Sequence, residues 1–245
     1  MIGKFLWLVF VLPLTVFTQN PSPEWILDRV DENMSASNRI SEAEMIIHGR
    51  RGDRTVHSKS WIMGTEMAFT EYLDPPRERG TKMLKQGENL WTYFPGTDRT
   101  VLIAGHLLRQ SVMGSDLSYE DLMEDPKLKN LYQAEITDID TVINRPCWIL
   151  ELNAKKPEVA YYKRKVWVDQ ERFITLKENR YAKSGRLIKT TTVTSIRKIE
   201  DRWVAEKIIF KDELKSGAGT EFILLSVQFD AQIPDYIFSK ANLRN

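Results

Sequence analysis

Residues 187–210 read LIKTTTVTSIRKIEDRWVAEKIIF. Leu187 to Arg197 and Trp203 to Phe210 are rich in β-branched and aromatic residues, and Glu200-Asp201 interrupts them. That composition suits a pleated, half-buried surface, so the stretch predicts two strands joined by a tight turn. The same unit recurs outward. Val166-Trp167-Val168, Phe173 to Tyr181 and Thr220 to Phe229 are further strand candidates, set off by Asp169-Gln170-Glu171, Lys183-Ser184-Gly185 and Lys215-Ser216-Gly217. In the first half, Trp61, Met63, Met67 and Phe69 share one parity around a Gly64-Thr65 turn. Leu90 to Phe94 is closed by Pro95-Gly96 before its partner Arg99 to Ile103, and Trp148, Leu150 and Leu152 face one way. Turns at such regular spacing mean an antiparallel meander, in which neighbours in sequence are neighbours in the sheet.

Helix signals are few and local. Ser22 precedes Pro23 and Glu24, a favourable helix start, and Trp25, Ile26, Leu27 and Val30 give an apolar side up to about Met34. Ser118-Tyr119-Glu120-Asp121 resembles a capping box with Asp in place of Glu. Pro126, Leu128 and Leu131 predict another short helix. The fold class is therefore mainly β with a few helices, as one domain over residues 20–245.

The N-terminus predicts export. Lys4 and the apolar run Phe5 to Phe17 precede a polar, proline-bearing segment, the pattern of a signal peptide over residues 1–19 with cleavage near 18–20. The run is shorter than the roughly 20 residues of a spanning helix. Without Lys4 the remaining 34 basic residues balance 34 acidic ones, which argues against nucleic acid as a partner. Charge is uneven locally: Asp116 to Asp140 holds eight acidic and two basic residues, and Lys155 to Arg202 holds fourteen basic and six acidic. Solvated strand faces are the simpler account of both runs. Cys147 is the single cysteine, so the fold must stand without an internal disulfide.

A search for reactive constellations is negative. There is no G-x-S-x-G elbow, no phosphate-cradling glycine loop and no H-E-x-x-H pair. His48 and His57 would approach each other if residues 39–49 and 53–63 pair around Arg51-Gly52-Asp53, but two histidines alone make a poor zinc site. Asp116, Glu120, Asp121, Glu124 and Asp125 lack calcium-loop spacing, and helix capping with first-turn charge accounts for most of them. No catalytic residue, metal ligand or cofactor is expected. What remains is an excess of soft apolar side chains: seven tryptophans, eight methionines and ten phenylalanines. They can line a cavity between sheet and helices or simply fill a core, and composition alone favours the packed core.

Three stretches carry a family resemblance: Arg79-Gly80-Thr81-Lys82-Met83-Leu84, then Leu90-Trp91-Thr92-Tyr93-Phe94-Pro95, then Met113-Gly114-Ser115-Asp116-Leu117-Ser118-Tyr119-Glu120-Asp121-Leu122. Together with Val166-Trp167-Val168-Asp169, Tyr181 with Gly185, Leu187 and Lys189, Trp203, Ile233-Pro234-Asp235, Phe238 and Leu243, they resemble the outer-membrane lipoprotein-sorting family of the LolA-like superfamily. The resemblance implies a half-open β-barrel of about eleven antiparallel strands closed by short helices. It further implies a monomeric, non-enzymatic periplasmic carrier that shelters acyl chains of lipids or lipoproteins, and that exchanges cargo with an inner-membrane ABC or other lipid transporter and an outer-membrane acceptor. Parity then nominates Trp61, Met63, Met67, Phe69, Met83, Trp91, Tyr93, Leu102 and Trp148 as cavity wall, and Met113, Leu117, Leu122 and Met123 as lid. Each is equally well explained as plain core. In the carriers a lid-latching arginine lies close to a K-R-P segment; here Leu73 to Arg79 offers Arg77 and Arg79 as loose matches. The alternative is an envelope sensor or scaffold of the same fold that binds a partner protein. A lipid hydrolase would require convergent polar groups in the cavity.

Overall fold

A computed structural model describes residues 21–34, 38–49, 52–124 and 127–245. The expected signal peptide lies outside the described residues, as do Arg51, Asp125 and Pro126. Helix α1 (Pro23–Met34) comes first, followed by β1 (Asn38–Ile47), β2 (Arg54–Met63), β3 (Met67–Asp74), β4 (Lys82–Gln86), β5 (Asn89–Phe94) and β6 (Arg99–Ile103). Residues 104–131 then form a long crossing made of short pieces: 3-10 helices Gly105–Arg109 and Val112–Gly114, α2 (Tyr119–Met123) and α3 (Leu128–Leu131). The second run is β7 (Tyr132–Val142), β8 (Arg145–Ala154), β9 (Lys163–Asp169), β10 (Thr175–Tyr181), β11 (Leu187–Ile199), β12 (Arg202–Asp212) and β13 (Thr220–Phe229). A tail with 3-10 helices Asp235–Phe238 and Lys240–Leu243 ends the chain.

All thirteen strands belong to one antiparallel sheet in the order β6-β5-β4-β3-β2-β1-β13-β12-β11-β10-β9-β8-β7. The sheet is curved and unclosed, a half-barrel of the expected class with thirteen strands where about eleven were expected. The hairpin pairing of residues 39–49 with 53–63 is present, with Asn38 opposite Met63 and Ile47 opposite Arg54. Phe173 falls outside its expected strand: its φ of 49° places it in the turn before β10.

Topology explains the lid. The first and last strands, β1 and β13, pair with each other in the middle of the sheet, so the free edges are β6 and β7. Those edges are consecutive in sequence, and the chain between them, residues 104–131, crosses the inner face to join them. Elsewhere consecutive strands are linked by short turns, as expected for a meander.

Alternation along each strand divides the core into faces. On the inner face Met45, Val56, Tyr72, Met83, Leu90 and Ile103 pack with Val112 and Tyr119 of the crossing. Beside them Leu150, Leu152, Val166 and Val168 pack with Tyr132 and with Ile26 and Leu27 of α1. Those two helix residues are almost fully buried, worth about 1.5–3 kcal/mol each. Helix α1 starts as its sequence predicts, with the Ser22 hydroxyl accepting from Trp25 N–H at 3.2 Å. On the outer face of the first half, Phe69 and Leu84 are covered by Ala231, Ile233, Phe238 and Leu243 of the tail.

The tail is therefore a structural cover. Phe238 is 2% exposed and packs in that outer cluster. Phe238→Ala should lower unfolding stability by about 3–5 kcal/mol, read from the urea midpoint with an unchanged slope.

Candidate functional site

The site is the crossing segment and the inner face it covers. Leu107, Leu108, Val112, Met113, Leu117, Tyr119 and Met123 pack over Met45, Val56, Tyr72, Met83, Leu90 and Ile103, where the Tyr72 hydroxyl donates to Met83 Sδ at 3.3 Å. Of the four expected lid residues, Met113, Leu117 and Met123 lie in this cluster and Leu122 is 41% exposed. Of the nine expected wall residues, Met83 is the one placed beneath the lid. Trp61, Met63, Met67, Phe69, Trp91 and Tyr93 gather in the cluster with the C-terminal tail on the opposite face. Leu102 is 46% exposed, and Trp148 packs in the α1 cluster. Parity groups these side chains as one face, but parity alone does not say whether lid or tail covers it.

Three polar tethers hold the lid. At its start, Met113 (φ 50°) and Gly114 (φ 74°) both adopt left-handed backbone, rare for a methionine. The turn aims the Met113 carbonyl at the Arg54 guanidinium, whose other nitrogen pairs with Glu78 at 2.6 Å. A Cβ at position 114 would sit 3.3 Å from that guanidinium, so glycine serves both the backbone and the close approach. An open polar pocket of about 390 Å3 lies here, lined by Arg54, Arg77, Glu78, Met113 and Tyr119 among others. The expected latch candidates make their polar contacts away from the lid, although Arg77 lines this pocket. Arg77 is largely exposed beside Glu78, and Arg79 bonds to Asp74 and the Leu73 carbonyl. Arg54 takes their place.

The second tether is Asp116, which accepts from the Thr220 hydroxyl and from Asp212 N–H, each at 2.9 Å. Lys215 adds hydrogen bonds to the Ser115 carbonyl at 2.8 Å and the Ser111 hydroxyl at 2.6 Å.

The third tether is a buried cluster of charges. The capping box read from the sequence is formed, with Ser118 accepting from Asp121 N–H and Asp121 accepting from Ser118 N–H at 2.7 Å. Asp121 also receives Lys189, Arg180 at 3.1 Å and the Tyr161 hydroxyl at 2.6 Å. Glu124 receives Arg164, which with Arg180 clamps Glu178 at 2.6 and 2.8 Å. The Arg164 guanidinium lies 4.9 Å from the Tyr132 ring centre and 5.3 Å from that of Tyr161, and Arg180 is 5.4 Å from the latter. The arginine side chain of Arg164 is 2% exposed.

Burial by itself would raise the Asp121 carboxyl, but Lys189 and Arg180, with hydrogen bonds from Lys189 and Tyr161, hold it down to about 2. Burial likewise opposes ionisation of Glu178, and Arg180 and Arg164 hold it down to about 2. The Tyr161 hydroxyl is pushed up by its own burial and by the Asp121 charge, so it remains a donor.

Sequence reading assigned Asp121 to capping and the basic run to solvated faces, so it passed over Arg54, Arg164, Glu178 and Arg180 and gave Lys189, present in the family resemblance, no role. One signal was available. Arg164 shares its parity on β9 with Val166 and Val168, so a charge stood on an apolar face. The two histidines do not converge: His48 Nδ1 meets Asp53 at 2.9 Å, and His57 lies 3.6 Å from Glu42. Among the described residues no group of three or more His, Cys, Asp or Glu side chains is placed to hold a metal ion.

A family model described as an uncharacterized protein matches residues 64–245. Among curated proteins none matches. Three solved structures share the fold. A DUF1329 family protein from Desulfovibrio piger is 24% identical, with a TM-score of 0.82 over 90% of this chain and 97% of that one. An outer membrane lipoprotein-sorting protein domain from Vibrio parahaemolyticus is 21% identical, with 0.77 over 89% and 98%. A LolA superfamily protein from Nitrosomonas europaea is 22% identical, with 0.75 over 91% and 100%.

Two expectations follow from the charge cluster. Both Asp121 and Glu178 are depressed on folding from ordinary values of 3.8 and 4.5. Their contribution to stability is complete above those ordinary values and drains away as pH falls toward about 2. Stability measured by urea unfolding should therefore decline from about pH 5 downward, and Asp121→Asn should flatten the decline. Arg164→Met, which strips Glu178 and Glu124 of their shared cation, should cost about 3–5 kcal/mol at neutral pH.

Proposed function

The chain belongs to the family of uncharacterized proteins whose model spans residues 64–245, and from its LolA-superfamily fold we propose that it is a non-catalytic acyl-chain carrier of the cell envelope. In this reading residues 20–245 act as one lipid-binding domain, exported to the periplasm by the N-terminal signal segment. The cargo is a lipid or an acylated protein, received from an inner-membrane transporter and passed to an outer-membrane acceptor.

One observation carries the proposal: an apolar stretch of the inner face, from Met45 to Ile103, is covered by a segment made of short helical pieces. Residues 104–124 contain two short 3-10 helices and a five-residue helix. Such pieces have little stability of their own and depend on tertiary contacts. Methionines stand on both sides of the contact, Met45 and Met83 below, Met113 and Met123 above, and a flexible thioether chain adapts to a mobile ligand. The space beneath the lid is filled by the lid's own side chains, so loading is an exchange. Each methylene buried gains about 0.8 kcal/mol, and displacing Val112, Leu117 and Tyr119 returns a comparable loss. Near-balance suits a carrier, which must release what it binds.

The filled interior also favours a second reading, a non-catalytic envelope module of the same fold that binds a partner protein and holds no lipid. Native mass spectrometry of the chain purified from its own envelope separates the two. The carrier reading expects co-purifying lipid or acylated protein, released by organic solvent. It also expects fluorescent fatty acid binding that weakens about tenfold in Leu117→Asp, with a far-ultraviolet spectrum unchanged. A clean apo mass with no fatty acid binding would move the assignment to the partner-binding module.

A further inference from the structure

The charge cluster is unevenly divided between sheet and lid. Strands β9, β10 and β11 supply three cations, Arg164, Arg180 and Lys189, against a single carboxylate, Glu178. The lid supplies Asp121 and Glu124. With the lid down, three positive charges meet three negative ones. With it lifted, the sheet keeps a surplus of two positive charges at a place where Arg164 is 1% exposed in the closed state. An uncompensated charge in such a site is costly, so opening calls for a substitute anion.

We propose that Arg164, Arg180 and Lys189 form a binding site for an anionic oxygen group, phosphate or carboxylate, and that Asp121 and Glu124 occupy it in the closed state as stand-ins for the ligand. The proposal rests on the acyl-carrier reading and adds the class of headgroup. Three further observations support it. Arg164 Nε and Arg180 Nε are buried without a hydrogen-bond acceptor, so the site has more donors than the lid and Glu178 satisfy. Two guanidinium forks and an ammonium match the several acceptor oxygens of a phosphate. Helix α2 is itself amphiphilic in the required sense. It places Tyr119 and Met123 in the apolar cluster, while its Asp121 and the adjoining Glu124 point into the cations. A ligand with an acyl chain and an anionic head would reproduce both contacts at once.

The test compares lysophosphatidic acid with monoacylglycerol of the same chain, each below its micelle concentration, and sodium phosphate alone. They are titrated against the full mature chain, with binding read by calorimetry and by the shift in Tm. Wild type should bind the anionic amphiphile at least about tenfold more tightly than the neutral one. Lys189→Met should abolish that preference while leaving monoacylglycerol binding in place. The lid variant Asp121→Asn with Glu124→Gln removes the stand-ins and should gain protection by sodium phosphate that wild type lacks; it serves as the check if Lys189→Met fails to fold. Equal affinity for the two amphiphiles would overturn the anion site and leave the acyl-carrier reading intact. Phosphate protection of the lid variant with no binding of either amphiphile would support the anion site for a free phosphate and overturn the carrier reading. No binding of any of the three probes to either protein would overturn both.

Discussion

The arrangement depends on the meeting of Arg164 with Glu178 and Glu124 inside the half-barrel. Arginine buried to this degree is tolerated only when its charge is matched and its donors are engaged. Because one partner lies on the neighbouring strand β10 and the other on the lid, the ion pairs fix where the lid sits as well as satisfying the charge. Desolvating these groups offsets most of what their attraction returns, so the cluster contributes little to net stability relative to an apolar replacement. Its contribution is positional. An apolar lid on an apolar sheet could slide by a turn with small loss, whereas Asp121 bound by Lys189, Arg180 and Tyr161 has one place to be.

That placement is possible because of the strand order. Pairing β1 with β13 sends both free edges to the ends of the sheet and makes residues 104–131 the connection between them. The crossing must pass over the inner face, and the sheet halves then receive different kinds of contact. The first half meets the crossing through apolar side chains from Met45 to Ile103; the second meets it through charges on β9 to β11 and through Leu128 and Leu131, which pack beside Leu150 and Leu152. Between the two regimes, Arg54 holds the Met113 carbonyl from the first half and Asp116 accepts from Asp212 and Thr220 of the second. The stretch Gly114-Ser115-Asp116-Leu117-Ser118-Tyr119-Glu120-Asp121, part of the family resemblance, has a contact role for most of its residues.

The strands, the capping box and the meander were legible because each rests on local chemistry: β-branched alternation, a serine three residues before an acid, turns at regular spacing. The identity of the covered faces was not. Trp61, Met63, Met67, Phe69, Trp91 and Tyr93, expected as cavity wall, share one cluster in the structure, and what lies over them is Ala231 to Leu243, more than a hundred residues away in sequence. The buried charges were harder still. Fourteen basic residues between Lys155 and Arg202 look alike in a count, yet in the structure five are exposed, seven are half-buried, and Arg164 and Lys189 are buried. Arg164, Arg180 and Lys189 are distinguished by strand parity and by carboxylates that arrive from elsewhere in the chain.

A packed interior is consistent with carrying, provided that packing and cargo compete for the same surface. A permanently open apolar cavity would have to be kept from collapsing or from attracting the wrong surfaces. A lid that fills the space itself removes both hazards, because its own side chains cover the apolar face from Met45 to Ile103. The cost is that binding must displace side chains already buried, which limits affinity to the difference between two similar burials. For a storage protein that limit would be a defect. For a protein that must surrender its load to an acceptor without an energy source, a small difference is the requirement, and under the proposed carrier role the methionine side chains and short 3-10 helices of the lid would keep it small.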